Sequence, residues 1–160
     1  MVADQELASL FRTSGLTLAL AESCTGGMIA ARVTDIAGCS AWFKGGVVAY
    51  SNELKTALLD VPAPMLAMYG AVSEQVGRAM AEGARKTSNS DLALAVTGIA
   101  GPDGGMPEKP VGTVYIALAD QDGCEVVRCH FSGDRAAVRQ QTVEKGLLML
   151  KKRLMLSEMA

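Results

Sequence analysis

Leu16–Ala21 reads LTLALA and runs directly into Glu22-Ser23-Cys24-Thr25-Gly26-Gly27; this junction decides the fold. A short apolar run of this kind is a buried strand, and the Ser/Thr/Gly cluster behind it turns the chain into a helix reaching about Thr34. Ahead of it, residues 4–14 carry Leu7, Leu10 and Phe11 at helical spacing, with Gly15 as the C-terminal cap. Behind it, Gly38-Cys39-Ser40 break the helix. Trp42-Phe43 and a glycine pair then precede a second strand, Val47–Tyr50, which leads into a short helix over 52–59. Pro62 and Pro64 mark a turn into another helix, and Ser73 caps a longer amphipathic one to about Lys86.

Asp91–Val96 (DLALAV) is a third buried strand, and it enters a loop dense in glycine and proline, 97–110 (TGIAGPDGGMPEKP). Strands 111–119 and 123–132 flank a hairpin at Asp120–Asp122. The second strand alternates, with Val127, Cys129 and Phe131 on one face and Arg128 and His130 on the other, a surface position away from the loops. Ser132-Gly133-Asp134 caps a final helix of about twenty residues, whose apolar stripe is Val138, Val143, Leu147, Leu150 and Leu154. This order predicts one domain over 1–160, a three-layer α/β/α sandwich around a mixed, mostly parallel sheet.

The 160 residues include one histidine, His130, so a histidine-rich metal site is excluded and a Ser-His-Asp mechanism would have to recruit that single imidazole. Fifteen Lys and Arg against seventeen Asp and Glu give a net charge of −2, leaving no broad cationic surface for nucleic acid or an anionic membrane. A small-molecule ligand is the expectation. No apolar run approaches a membrane span and the acidic N-terminus is no signal peptide, which predicts a cytoplasmic protein. Cys24, Cys39, Cys124 and Cys129 form no CxxC pair, so they are expected as free thiols rather than zinc ligands or disulfides.

Ligands of open α/β sheets bind beyond the carboxyl ends of the strands, here the loops at 22–27, 50–52 and 97–110. The first offers two nucleophile types, Ser23 and Cys24, where the free amides of a helix N-terminus, Cys24 through Gly27, favour a developing oxyanion; its plain alternative is a capped helix. The second places Tyr50 at a strand end and Lys55 one turn into a helix. Burial would turn Lys55 into a base able to deprotonate a serine directly or through the tyrosine. In the third, Gly98, Gly101, Gly104 and Gly105 allow close backbone approach to a ligand, and the loop together with Thr97 would take ribose or phosphate, yet it matches neither a dinucleotide fingerprint nor a P-loop. Arg135 and Arg139, one turn apart, read equally as a phosphate pair or a solvated surface pair.

Six motifs carry a resemblance that spans nearly the whole chain: AESCTGG (21–27), VAYSNELK (48–55), GAVSE (70–74), AVTGIAGPDGG (95–105), KPVGTVYIA (109–117) and FSGDRAAVR (131–139). Together they resemble the CinA C-terminal domain family, the nicotinamide-nucleotide amidohydrolases. The resemblance implies hydrolysis of the carboxamide of nicotinamide mononucleotide to nicotinate mononucleotide and ammonia, in pyridine-nucleotide salvage. It further implies an α/β/α fold and often a homodimer; no metal or cofactor is expected, because nucleophilic amide hydrolysis with an oxyanion hole needs neither. By motif, Ser23 is the implied nucleophile, and Tyr50 and Lys55 its proton relay, with Cys24 the rival nucleophile. Larger family members add an N-terminal domain associated with ADP-ribose pyrophosphatase activity; that activity is not expected of this chain. The contrasting expectation is a non-catalytic nucleotide-binding or regulatory module whose loops only seat a ligand.

Overall fold

The computed structural model describes residues 2–159. Helix α1 (Val2–Ser14) leads into β1 (Leu18–Glu22), then α2 (Met28–Thr34), a 3-10 turn (Cys39–Ala41) and β2 (Phe43–Val48). Three helices follow, α3 (Asn52–Leu59), α4 (Ala63–Tyr69) and α5 (Glu74–Ser88), before β3 (Leu92–Gly98), β4 (Thr113–Asp120), β5 (Gly123–His130) and α6 (Arg135–Glu158). The expected caps are present: Gly15 takes a left-handed φ of 71°, and Ser73 and Asp134 accept from the amides of Val76 and Ala137.

The sheet order is β2-β1-β3-β4-β5. β1 pairs in parallel with both β2 and β3, while β3–β4 and β4–β5 are antiparallel, so β4 alone opposes the other four strands. Because the chain passes from β1 to β2 on one side and reaches β3 on the other, strand order reverses at β1. The crevice beyond its carboxyl end is where a ligand fits.

Alternation along the central strands sorts side chains by size. Leu18, Leu20, Leu92, Leu94, Val96, Val114, Ile116 and Leu118 face α1, α2 and α6, joined there by the stripe Val138, Val143, Leu147, Leu150 and Leu154. Ala19, Ala21, Ala93, Ala95, Ala117 and Ala119 are the sheet's buried small residues, and all but Ala19 pack with Val76, Met80, Ala81 and Ala84 of α5. The small face lets α5 lie close, so that a Cβ added at Gly77 would come into contact with Tyr115 and Ala117 at 3.6 and 3.9 Å; Gly83 gives room to α3 instead, where a Cβ would collide with the Leu59 carbonyl.

Two expectations need correction. The second strand spans Phe43–Val48 rather than 47–50, so the glycine pair lies inside it. A Cβ at Gly46 would come within 3.3 Å of Leu20 Cβ, and the register with β1 shifts between Leu18 and Ala19, which pair with Phe43 and Gly45. His130 and Arg128 are exposed but not remote from the loops. Their ring and guanidinium contact the carbonyls of Val111 and Glu108 at 3.2 and 2.7 Å, pinning the outer arm of the glycine-rich loop. No helix among the described residues is long and apolar enough to cross a membrane.

Candidate active site

The parallel strands β1, β2 and β3 end side by side at Glu22, Val48 and Gly98, so the loops after them meet at one edge. The antiparallel β4–β5 hairpin returns the chain to that same edge, which brings the start of α6 alongside. A cavity of about 270 Å³ lies there, lined by Ser23, Cys24, Tyr50, Lys55, Thr97, Gly98, Gly101 and Arg135, with Ala71 and Val72 from the α4–α5 connection. A larger open groove of about 1050 Å³ between α2 and α6 contains none of these residues.

Lys55 is the organising group. It is 1% exposed, and its Nζ lies 3.0 Å from each of three oxygens: Ser23 Oγ, the Ala49 carbonyl and the Tyr50 carbonyl. Ser51 caps α3 by accepting from the Leu54 amide, which fixes the turn from which Lys55 reaches inward. None of the three contacts is a carboxylate, so burial pushes the ammonium below its ordinary pKa. A neutral amine has two N–H groups and one lone pair. With both N–H groups given to the two carbonyls, the lone pair is left for the Ser23 hydroxyl.

Cys24 lies beside Ser23 but in a different state. Burial drives its thiol up to about 11, against the opposing pull of its own amide and of Arg139, so it stays protonated near neutrality. Tyr50 splits its roles. Its carbonyl orients Lys55, whereas its side chain is 59% exposed, with the phenol oxygen accepting from Arg135 Nη2 at 3.2 Å. Arg135 also donates to the Gly101 carbonyl at 2.8 Å, tying the rim to the glycine-rich loop. Thr97 donates to the Ala71 carbonyl at 2.9 Å and so joins two cavity walls. Gly98 and Gly101 sit where a Cβ would strike Val114 and Val111, and Gly101 also has a φ of 81°.

Four expected site residues do not line the cavity. Thr25, Gly26 and Gly27 build the turn behind it, the two glycines with φ of 58° and 106°. The helix N-terminus is not free for an anion, because the buried Glu22 carboxylate already occupies it. Glu22 accepts from Thr25 Oγ1 at 2.6 Å and from the amides of Gly27, Ile29 and Ala30 at 3.2, 2.9 and 3.0 Å. Arg139 is turned onto the main chain: its Nε and Nη2 donate to the carbonyls of Cys24 and Thr25 at 3.0 and 3.1 Å. No local sequence pattern assigns a site role to Glu22, Ala71 or Val72. An acidic residue ending a buried strand, with a helix beginning after two glycines, is the signal that identifies Glu22 as a cap.

The family model described as the CinA C-terminal domain matches residues 2–154. A CinA-like protein of Citrifermentans bemidjiense is 64% identical over 152 residues, 95% of this chain and 37% of that protein. The chain thus spans little more than a third of the length of the curated relatives it matches. Among solved structures, the competence/damage inducible protein CihA of Agrobacterium tumefaciens is 40% identical with a TM-score of 0.88, covering 92% of this chain and 93% of its own. The competence damage-inducible protein A of Klebsiella pneumoniae is 38% identical with a TM-score of 0.92, covering 95% and 94%.

Proposed function

The chain belongs to the CinA C-terminal domain family, and from that premise we propose that it hydrolyses the carboxamide of nicotinamide mononucleotide, with Ser23 as nucleophile and Lys55 as base. The observation that carries this reading is the buried Ser23–Lys55 contact of 3.0 Å, with the two other Nζ partners being carbonyls. Ser23 Oγ attacks the carboxamide carbon as its proton passes to the Lys55 lone pair. The tetrahedral intermediate collapses, Lys55 returns that proton to the departing nitrogen, and ammonia leaves an acyl-serine. Water then attacks the ester with Lys55 again as base, giving the carboxylate and restoring Ser23. Direct transfer between Ser23 and Lys55 removes the need for a tyrosine in the first proton step. The Tyr50 phenol and Arg135 instead meet the ribose phosphate at the rim, and the cavity of about 270 Å³ takes the reactive ring.

This chemistry calls for neither metal nor cofactor, since a nucleophile, a base and an oxyanion donor suffice for amide hydrolysis, and EDTA should leave turnover unchanged. We further read the protein as cytoplasmic and homodimeric, the latter to be measured by sedimentation equilibrium. The deciding experiment incubates the protein with nicotinamide mononucleotide, with nicotinamide as a comparison, and measures ammonia. Release that disappears in Ser23→Ala supports the reading; binding with no release returns the chain to a non-catalytic nucleotide-binding module.

A further inference from the structure

Arg139 holds the main chain immediately after the nucleophile. From α6 its Nε donates to the Cys24 carbonyl at 3.0 Å and its Nη2 to the Thr25 carbonyl at 3.1 Å, so one planar fork spans two consecutive peptides. The peptide before Cys24 is held as well, because the Gly26 amide donates to the Ser23 carbonyl at 3.0 Å. Both planes flanking the Cys24 Cα are therefore clamped through their oxygens. In a trans peptide the N–H points opposite its carbonyl. The Cys24 amide is consequently turned away from the Gly26 amide that grips its plane; among the described residues no carbonyl or side-chain oxygen accepts from it, and its one partner is its own thiol. Cys24 lines the cavity beside Ser23, whereas Arg139 does not.

We infer that Arg139 is a positioning residue for the reaction: it fixes the Cys24 amide as the oxyanion donor, acting through the Cys24 and Thr25 carbonyls and without touching substrate. The inference rests on Ser23 being the nucleophile, as proposed above. The same guanidinium lowers the Cys24 thiol against its burial, so its positive charge is felt beside Ser23, where negative charge would collect. The rigid attachment suits the task. Val138, the preceding residue, is sealed in the core, and Asp134 caps the helix one turn earlier.

The test compares wild type, Arg139→Ala and Arg139→Lys in two assays. The first is hydrolysis of nicotinamide mononucleotide. The second is binding of phenylboronic acid, whose boron accepts Ser23 Oγ to form a tetrahedral anion as the serine proton moves to Lys55. In Arg139→Ala we expect kcat to fall about 10²–10³-fold, the loss typical of one oxyanion donor, with KM changed by less than about threefold. Boronate affinity should fall with kcat, added guanidinium ion should restore part of both, and Arg139→Lys should lie between. A raised KM with unchanged kcat, or boronate affinity equal to wild type, overturns the inference. Circular dichroism establishes that each variant is folded; if the alanine variant is not, Arg139→Lys supplies the same comparison. A wild type that binds phenylboronate but releases no ammonia overturns the substrate reading alone, and the boronate ratio then decides on Arg139.

Discussion

A lysine buried to 1% exposure without a carboxylate partner is held there against its preference for water, and that opposition yields a signed prediction. Its folded pKa lies below the ordinary 10.5, so between the two values the unfolded chain holds a proton that the folded chain has shed. Stability attributable to Lys55 therefore rises with pH through that window and is at its poorest below it. Lys55→Met should unfold at a higher temperature than wild type at neutral pH, with the advantage shrinking as pH climbs toward 10.5. It should also lose turnover by about 10²–10⁴-fold, the usual worth of a positioned base. In the wild type, kcat/KM should climb with pH as Lys55 loses its proton; a flat profile would remove Lys55 from the base role. Cys24→Ala should keep wild-type turnover while Ser23→Ala loses it, because a thiol raised to about 11 supplies almost no thiolate at pH 7.

At the scale of elements, the strand-to-helix junction from β1 to α2 depends on one acid. Glu22 is sealed from solvent and collects four hydrogen bonds from the turn that follows it. Glu22→Ala should destabilise the protein by about 1–3 kcal/mol, the range for a lost cap and charge-assisted bonds, measured by urea denaturation. Ser23 is the next residue, so kcat should fall as well. The elements themselves were legible from sequence: apolar runs fixed β1 and β3, alternation fixed β5, and the residues Ser73 and Asp134 marked helix starts. The start of β2 was not. Glycines read as a break, and only contact with Leu20 explains why Gly46 must lie within a strand. Ser23, Lys55 and Tyr50 were likewise legible as types in the right loops. The grip of Arg139 and the two carbonyls on Lys55 were not, because they depend on how the β4–β5 hairpin and α3 pack, which no local pattern encodes.

Across the whole molecule, α6 links the site to the opposite end of the fold. Its first turns carry Arg135 and Arg139, and its later ones bury Leu150 and Leu154 in the cluster that also holds Leu7 and Phe11 of α1. Leu150→Ala should cost about 2–5 kcal/mol, visible as a single cooperative shift in thermal unfolding rather than local fraying. The two faces of the sheet also respond differently to change. The face built from leucine, isoleucine and valine can exchange one branched shape for another at constant volume, whereas the alanines buried beneath α5 have no apolar alternative of equal volume, so every exchange there either overpacks the layer or opens it. A random-mutation library selected for folding should thus recover many sequences varied on one side of the sheet and few on the other. Drift over generations would rewrite the thick layer and leave the thin one nearly as it stands.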